Sequence, residues 1–264
     1  MSTSAQLSVR RLLLALTVVA TITFAPASAA SAAPKPDGRV VRTWNDLAFG
    51  AVRFAGASDA NAARLYAMVN AAMYDAVNGV SDDPQGYAIV PPSEDQSGDP
   101  LAAAATAAHD VLVAFRPTSA ALRESYDNQL ASDLSTVRSA AQAKHGQAWG
   151  ATVAKAVLTA RENDGSMGTE TQAAGSGVGY FRLSWDTHQR HLRPFVIANP
   201  LGYVDAGPPD MTTEAYRLAF DDVKTVGTAS YMAEDAPAIF QFWKLSGGSN
   251  QPAGAWLQIA ESVS

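Results

Sequence analysis

The stretch SDANAARLYAMVNAAMYDAVNGV, residues 58–80, has the composition of a helix at the centre of a bundle. Ser58 suits an N-cap, Asp59 suits the positive end of a helix dipole, and Gly79 follows the last expected helical position. About twenty residues lie between them, roughly 30 Å of helix. Leu65, Met68, Val69, Ala72, Met73, Ala76 and Val77 are apolar, and Ala62, Ala63, Ala67 and Ala71 fill much of the rest. Asn61, Arg64, Asp75 and Asn78 share one narrow sector at about 100° per residue. A helix apolar over most of its circumference is a buried one. The stretch therefore predicts a core helix, with one sector left for water or polar partners.

On its N-terminal side, Val41, Trp44, Leu47, Ala48, Ala51 and Val52 recur at helical spacing over residues 40–54 and predict a helix against that core. Residues 81–98 are polar and Pro-rich without a period, which makes them loop. Asp99 and Pro100 supply an N-cap and a first-turn proline for an almost wholly apolar helix that Pro117 closes. Thr118 or Ser119 caps the next, with Leu122, Tyr126 and Leu130 every fourth residue. A long helix is expected over 135–162, and its Gly146, Gly150 and Ala154 form a small-residue ridge. Each glycine costs about 1 kcal/mol against alanine in a helix, so the ridge implies close approach of a neighbouring helix.

From 165 to 210 the pattern disappears into a segment rich in glycine, proline and aromatics, including Tyr180, Phe181, Trp185, Phe195 and Tyr203. Loops this long in a compact protein usually wrap something or carry function. Helices resume over 214–226 behind Thr213, over 235–245, and after Pro252, where Trp256, Ile259, Ala260 and Val263 fall at i, i+3, i+4 and i+7. Phe240, Phe242, Trp243 and Trp256 stand at spacings expected of core. No alternating run of useful length is present, so the fold class expected is all-α.

Composition narrows the partners. A chain of 264 residues that is 47% hydrophobic can bury a sizeable core. Its net charge of −6 and lack of a basic stripe argue against nucleic acid. With no cysteine, a thiolate metal site or a cysteine nucleophile is excluded. Arg10 and Arg11, an apolar run over 12–24 and the A-x-A sites at Ala27 to Ala29 and Ala30 to Ala32 make residues 1–32 a signal peptide, by the Sec or twin-arginine route. The run is short for a membrane span, so the mature chain, 33–264, is expected to be secreted with none.

Chemistry-bearing clusters are few. His109 and Asp110 adjoin on an apolar helix, but neighbours point about 100° apart, so a partly buried histidine with some hydrogen-bond partner is expected rather than a dyad. The densest polar cluster is WDTHQRHLRPF, residues 185–195. Its metal reading uses Asp186, His188 and His191, and its anion reading uses Arg190 and Arg193. The plainer alternative is a loop pinned by arginine and histidine hydrogen bonds. Gly175, Gly177 and Gly179 follow no strand and open no helix, which makes a flexible loop. Asp221 with Asp222, and Glu234 with Asp235, read as solvated faces. No G-x-S-x-G, P-loop, G-x-G-x-x-G or H-E-x-x-H occurs.

Several stretches together resemble the bacterial secreted branch of the vanadium-dependent haloperoxidase and phosphatidic-acid phosphatase superfamily. They are ARLYAMVNAAMYDAVNGV from Ala63, AAAATAAHDVLVAFRP, HGQAWGATVAKAVLTARENDG from His145, RHLRPFVI, AYRLAFDDVKTVG, and IFQFWKLSGG followed by PAGAWLQIA. In order and spacing they span nearly all of the mature chain. The resemblance implies a helical bundle like the N-terminal half of a vanadium haloperoxidase. It also implies a site that holds vanadate or phosphate between a lysine, two arginines and main-chain amides, with a histidine as nucleophile or vanadium ligand. Substrates would be halide and peroxide, or a phosphoester.

The family's signature is Lys followed six residues later by Arg-Pro, then Ser-Gly-His, then an Arg upstream of the essential His. Here Arg116-Pro117 has His109 in the lysine's place, Arg193-Pro194 has Asp186 there, and Ser-Gly-His does not occur. No catalytic, cofactor-binding or metal residue is therefore assigned to this chain. The expectation is the N-terminal portion of a longer haloperoxidase-like or acid-phosphatase-like protein, incomplete at its C-terminus, with exposed apolar surface and no turnover alone. Vanadate is expected only of the full-length family. The alternatives are a secreted non-catalytic binding or structural protein, in which Trp256, Ile259 and Val263 find partners within the chain or in a homo-oligomer, and a different enzyme built on residues 186–193.

Overall fold

The computed structural model describes residues 38–81, 84, 86–228, 236–245 and 248–263. The signal-peptide reading of residues 1–32, and the pair Glu234 and Asp235, lie outside the described residues. The described chain is mostly helical, as expected of an all-α fold, with α1 Gly38–Ala55, α2 Asp59–Gly79, α3 Pro100–Ala114, α4 Ala120–Ser135 and α5 Ala140–Ala160. After a long irregular segment come α6 Glu214–Val226, α7 Ala236–Trp243 and α8 Gln251–Val263. That segment holds two short 3₁₀ turns, His188–His191 and Pro200–Tyr203, and an antiparallel pair, β1 Thr171–Gln172 with β2 Trp185–Asp186.

Caps fall where the residue chemistry puts them. Ser58, Asp99, Ser119, Ser139 and Thr213 each accept a hydrogen bond from a backbone N–H three residues on. The cap at Ser139 also corrects the expected long helix over 135–162. It is α5, which starts at Ala140, and a separate α4 ends at Ser135.

The core lies among α1, α2, α3 and α5. Trp44, Phe49, Val69, Met73, Leu112, Val153 and Val157 are almost wholly buried there. The glycine ridge makes the tightest seam. A Cβ on Gly146 would collide with the carbonyl oxygen of Asp99, and one on Gly150 with that of Ala103, so the backbones of α3 and α5 touch directly. Gly79 is the last residue of α2 rather than a cap beyond it. Its missing side chain admits the indole of Trp149, 2.5 Å from where a Cβ would stand. Trp149 Nε1 donates to the carbonyl of Ala76 at 3.1 Å.

The polar sector of α2 takes partners rather than water. Asp75 is 1% exposed and accepts from the backbone N–H groups of Ala88, Ile89 and Val90 at 2.6, 2.8 and 2.8 Å. One carboxylate thereby folds part of the Pro-rich loop back onto its helix.

Three expected core aromatics on α7 and one on α8 are instead on the surface. Phe240, Phe242, Trp243 and Trp256 are 60%, 76%, 72% and 71% exposed. The reason is two-sidedness. α8 docks on α2 through Ala253, Gly254 and Leu257, which turns Trp256, Ile259 and Val263 outward. α6 shows the same want of cover, with Leu218, Phe220, Val223 and Val226 exposed. Helical periodicity marks an apolar face but does not say which of two faces finds a neighbour. No helix among the described residues is long and apolar enough to cross a membrane.

Candidate functional site

A cavity of about 630 Å³ opens where the α1–α2 turn, α2, the end of α3 and the end of α5 meet. Leu65, Met68, Val111 and Leu158 contribute its apolar lining, and Arg64, Arg116, Arg161 and Glu162 its charges. Its volume lies in the range of small-molecule sites.

The polar wall is built around Asp164, whose side chain is fully buried. Asp164 Oδ2 accepts from Arg64 Nε at 2.8 Å and from Arg161 Nε at 2.9 Å, and Oδ1 accepts from the Ser166 backbone N–H at 3.1 Å. Burial alone would raise its carboxyl, but hydrogen bonds from Arg64 and Ser166 outweigh that and bring it down to about 2. Arg161, 4% exposed, donates onward to the carbonyls of Arg193 and Pro194 and lies 3.8 Å beneath the ring of Phe195. Burial lowers the guanidinium's affinity for its proton, against the pull of Asp164. Two guanidiniums share one carboxylate, which leaves one surplus positive charge at the cavity wall.

The cluster at residues 185–195 is thereby split between tasks. Its far end seals the cavity wall: the Arg193 backbone N–H donates to the Asp164 carbonyl at 2.6 Å, and its guanidinium donates to the Ala160 carbonyl. Its near end ties the irregular segment together. His188 Nδ1 lies 2.8 Å from Asp186 and Nε2 lies 3.0 Å from the Ser166 carbonyl. Glu170 pairs with Arg190 at 2.6 Å and with His191 at 2.5 Å, chiefly through His191, which holds its carboxyl below the usual range. The metal reading does not form: Asp186 and His188 face one partner set and His191 another. Among the described residues no group of three or more potential ligands converges on one point. The anion reading does not form either, because Arg190 and Arg193 are committed to different acceptors.

His109 corrects the expectation for neighbouring side chains. Its Nδ1 does reach Asp110 Oδ1, at 2.8 Å, while Nε2 reaches Asp127 Oδ1 on α4, also at 2.8 Å. The edge of Trp44 packs on the ring with centroids 6.2 Å apart. A histidine enclosed in this way is the partly buried, hydrogen-bonded residue expected, with two partners rather than one.

These donors do not fit an oxyanion of the vanadate type. The Arg116 guanidinium folds back on the carbonyls of Val113 and Phe115, that of Arg193 rests on Ala160, and carboxylates grip His109. The residues lining the cavity include no histidine. What the arrangement supplies is positive charge beside an apolar floor. Sequence reasoning missed Asp164 and Asp75 as organising carboxylates. Asp164 reaches Arg64 across 100 residues and Asp75 holds a loop 13 to 15 residues on, and no local pattern encodes such pairs.

No protein-family model, curated protein or solved structure matches the chain.

Proposed function

We propose that this chain is the N-terminal helical portion of a secreted vanadium-haloperoxidase-like or acid-phosphatase-like protein, whose oxyanion-binding residues lie elsewhere in the full-length product. Six stretches in family order support the reading. The observation that carries it is the pair of opposed faces on α8. Ala253, Gly254 and Leu257 are seated on the bundle, while Trp256, Ile259 and Val263 stand 71%, 53% and 82% exposed on the other side. An exposed stripe that large is costly to leave in water and suits further helices of the same protein. Peroxide-dependent halide oxidation and phosphoester hydrolysis share one oxyanion chemistry, so the reading covers both.

The test is the intact mass of the native secreted product, with vanadate binding and both activities measured on it. A product longer than 264 residues that binds vanadate supports the reading. A native product of this length that melts cooperatively and binds no oxyanion overturns it. A second reading, a non-catalytic binding protein, draws on the cavity with its surplus guanidinium charge. Saturable binding of an apolar carboxylate, abolished by Arg64→Ala, would favour it.

A further inference from the structure

α4 is lightly anchored for a helix beside the core. Tyr126 is its one buried residue, Leu122 and Leu130 are partly buried against the core, and side-chain hydrogen bonds add to that hold. Trp44 Nε1 donates to Asp133 at 2.9 Å near its C-terminal end, and His109 reaches Asp127 near its middle.

We propose that His109, gripped by Asp110 on its own helix and by Asp127 on α4, is a pH-operated latch that holds α4 on the bundle while the ring is protonated and loosens it when the proton leaves. The geometry requires the charged ring. A neutral imidazole has one N–H donor and one acceptor nitrogen, whereas ionised carboxylates only accept. Both ring nitrogens lie 2.8 Å from a carboxylate oxygen, so both bonds form only with the imidazolium. Deprotonation turns one of them into a lone pair facing an anion.

The bond that yields is the one to α4. Asp110 is the next residue in the chain and stays beside the ring, whereas the Asp127 side chain is 67% exposed and has water available as a partner. The charged groups facing the ring are Asp110 from α3 and Asp127 from α4. α1 presents only the edge of Trp44, whose N–H is committed to Asp133. Burial of the ring opposes its charge, but the hydrogen bonds to Asp110 and Asp127 outweigh it and raise its affinity for the proton. The latch is therefore closed below the ordinary histidine value of 6.5 and opens as pH rises through the higher value of the folded protein. Asp133 keeps the far end tethered, so α4 loosens rather than departs.

Hydrogen exchange on the whole chain, corrected for intrinsic rates and read from about pH 6 to about pH 9, tests this. Protection of α4 amides should fall about two- to fivefold relative to α2 over that range, the scale of a solvent-exposed ion pair. In Asp127→Asn the fall should shrink or vanish, since the amide can accept from the charged ring and donate to the neutral one. A flat α4 profile in the natural chain, or an Asp127→Asn profile that coincides with it, overturns the proposal.

Discussion

Arg64 on α2 and Asp164 just past α5 meet Nε to Oδ2 at 2.8 Å across 100 residues of sequence, and a second guanidinium, Arg161, closes on the same oxygen at 2.9 Å. The core helix and the start of the irregular segment are thereby joined through one buried carboxylate. Removing that charge strands two cations. Asp164→Asn should cost about 3 kcal/mol or more of unfolding free energy, measured by urea titration. A loss under about 1 kcal/mol would mean that the guanidiniums find water instead.

The same group sets an acid limit. Its carboxyl falls from 3.8 to about 2 on folding, so its contribution is fully present above 3.8 and is lost as pH drops through about 2. At about 1.4 kcal/mol per factor of ten, that is about 2 kcal/mol, to be read from melting curves across the interval. Asp164→Asn should flatten the dependence.

Gly150 and Gly50 make a matched pair of tests. A methyl at Gly150 has no room against Ala103, whereas one at Gly50 on α1 meets nothing within 4 Å. Gly150→Ala should lose about 1–3 kcal/mol by overpacking, and Gly50→Ala should gain up to about 1 kcal/mol from helix propensity. Equal effects in urea titrations would dismiss the direct contact of the α3 and α5 backbones.

Asp75→Asn keeps the shape of the side chain but leaves one acceptor oxygen for three backbone N–H groups. A cost of about 2–3 kcal/mol is expected, with faster exchange at the amides of Ala88, Ile89 and Val90 as the local signature. Unchanged exchange there would assign the loop's order to its prolines.

Trp256→Lys should leave the thermal midpoint within about 2 °C while reducing dye binding and self-association, since the indole is 71% exposed. A large drop in the midpoint would place Trp256 in contact with the bundle.

Local chemistry made most helices legible. Ser58, Asp99 and Ser119 fix starts, the alanine-rich run at 101–114 could only be buried, and Gly146 with Gly150 announced a close neighbour. The start of α5 differs from the expected one because Ser139 draws the backbone into a cap and separates it from α4. The aromatics of α7 and Trp256 depart from the expected core for a different reason: periodicity states that a face is apolar and leaves open whether anything covers it. The candidate site was the least legible part. Residues 185–195 read as a loop held by arginines and histidines, but Glu170, with which Arg190 and His191 pair, and Arg161, which donates to the carbonyls of Arg193 and Pro194, lie outside the cluster.

Gln251 Nε2 donates to the carbonyl of Ala57 at 2.8 Å, and Tyr66 donates to the carbonyl of Asn250 at 2.9 Å. With Asp164 fastened to Arg64, both ends of the chain between these points are moored to the same stretch of α1 and α2. Beyond Phe195, which packs on the core, the described residues 196–228 and 236–245 thus lie on a tethered excursion whose closure is settled at its base. Because closure entropy grows only with the logarithm of length, that span is free to lengthen, shorten or take up a new partner at little cost to the bundle. Evolutionary change in size should accumulate there before it touches the helices beneath.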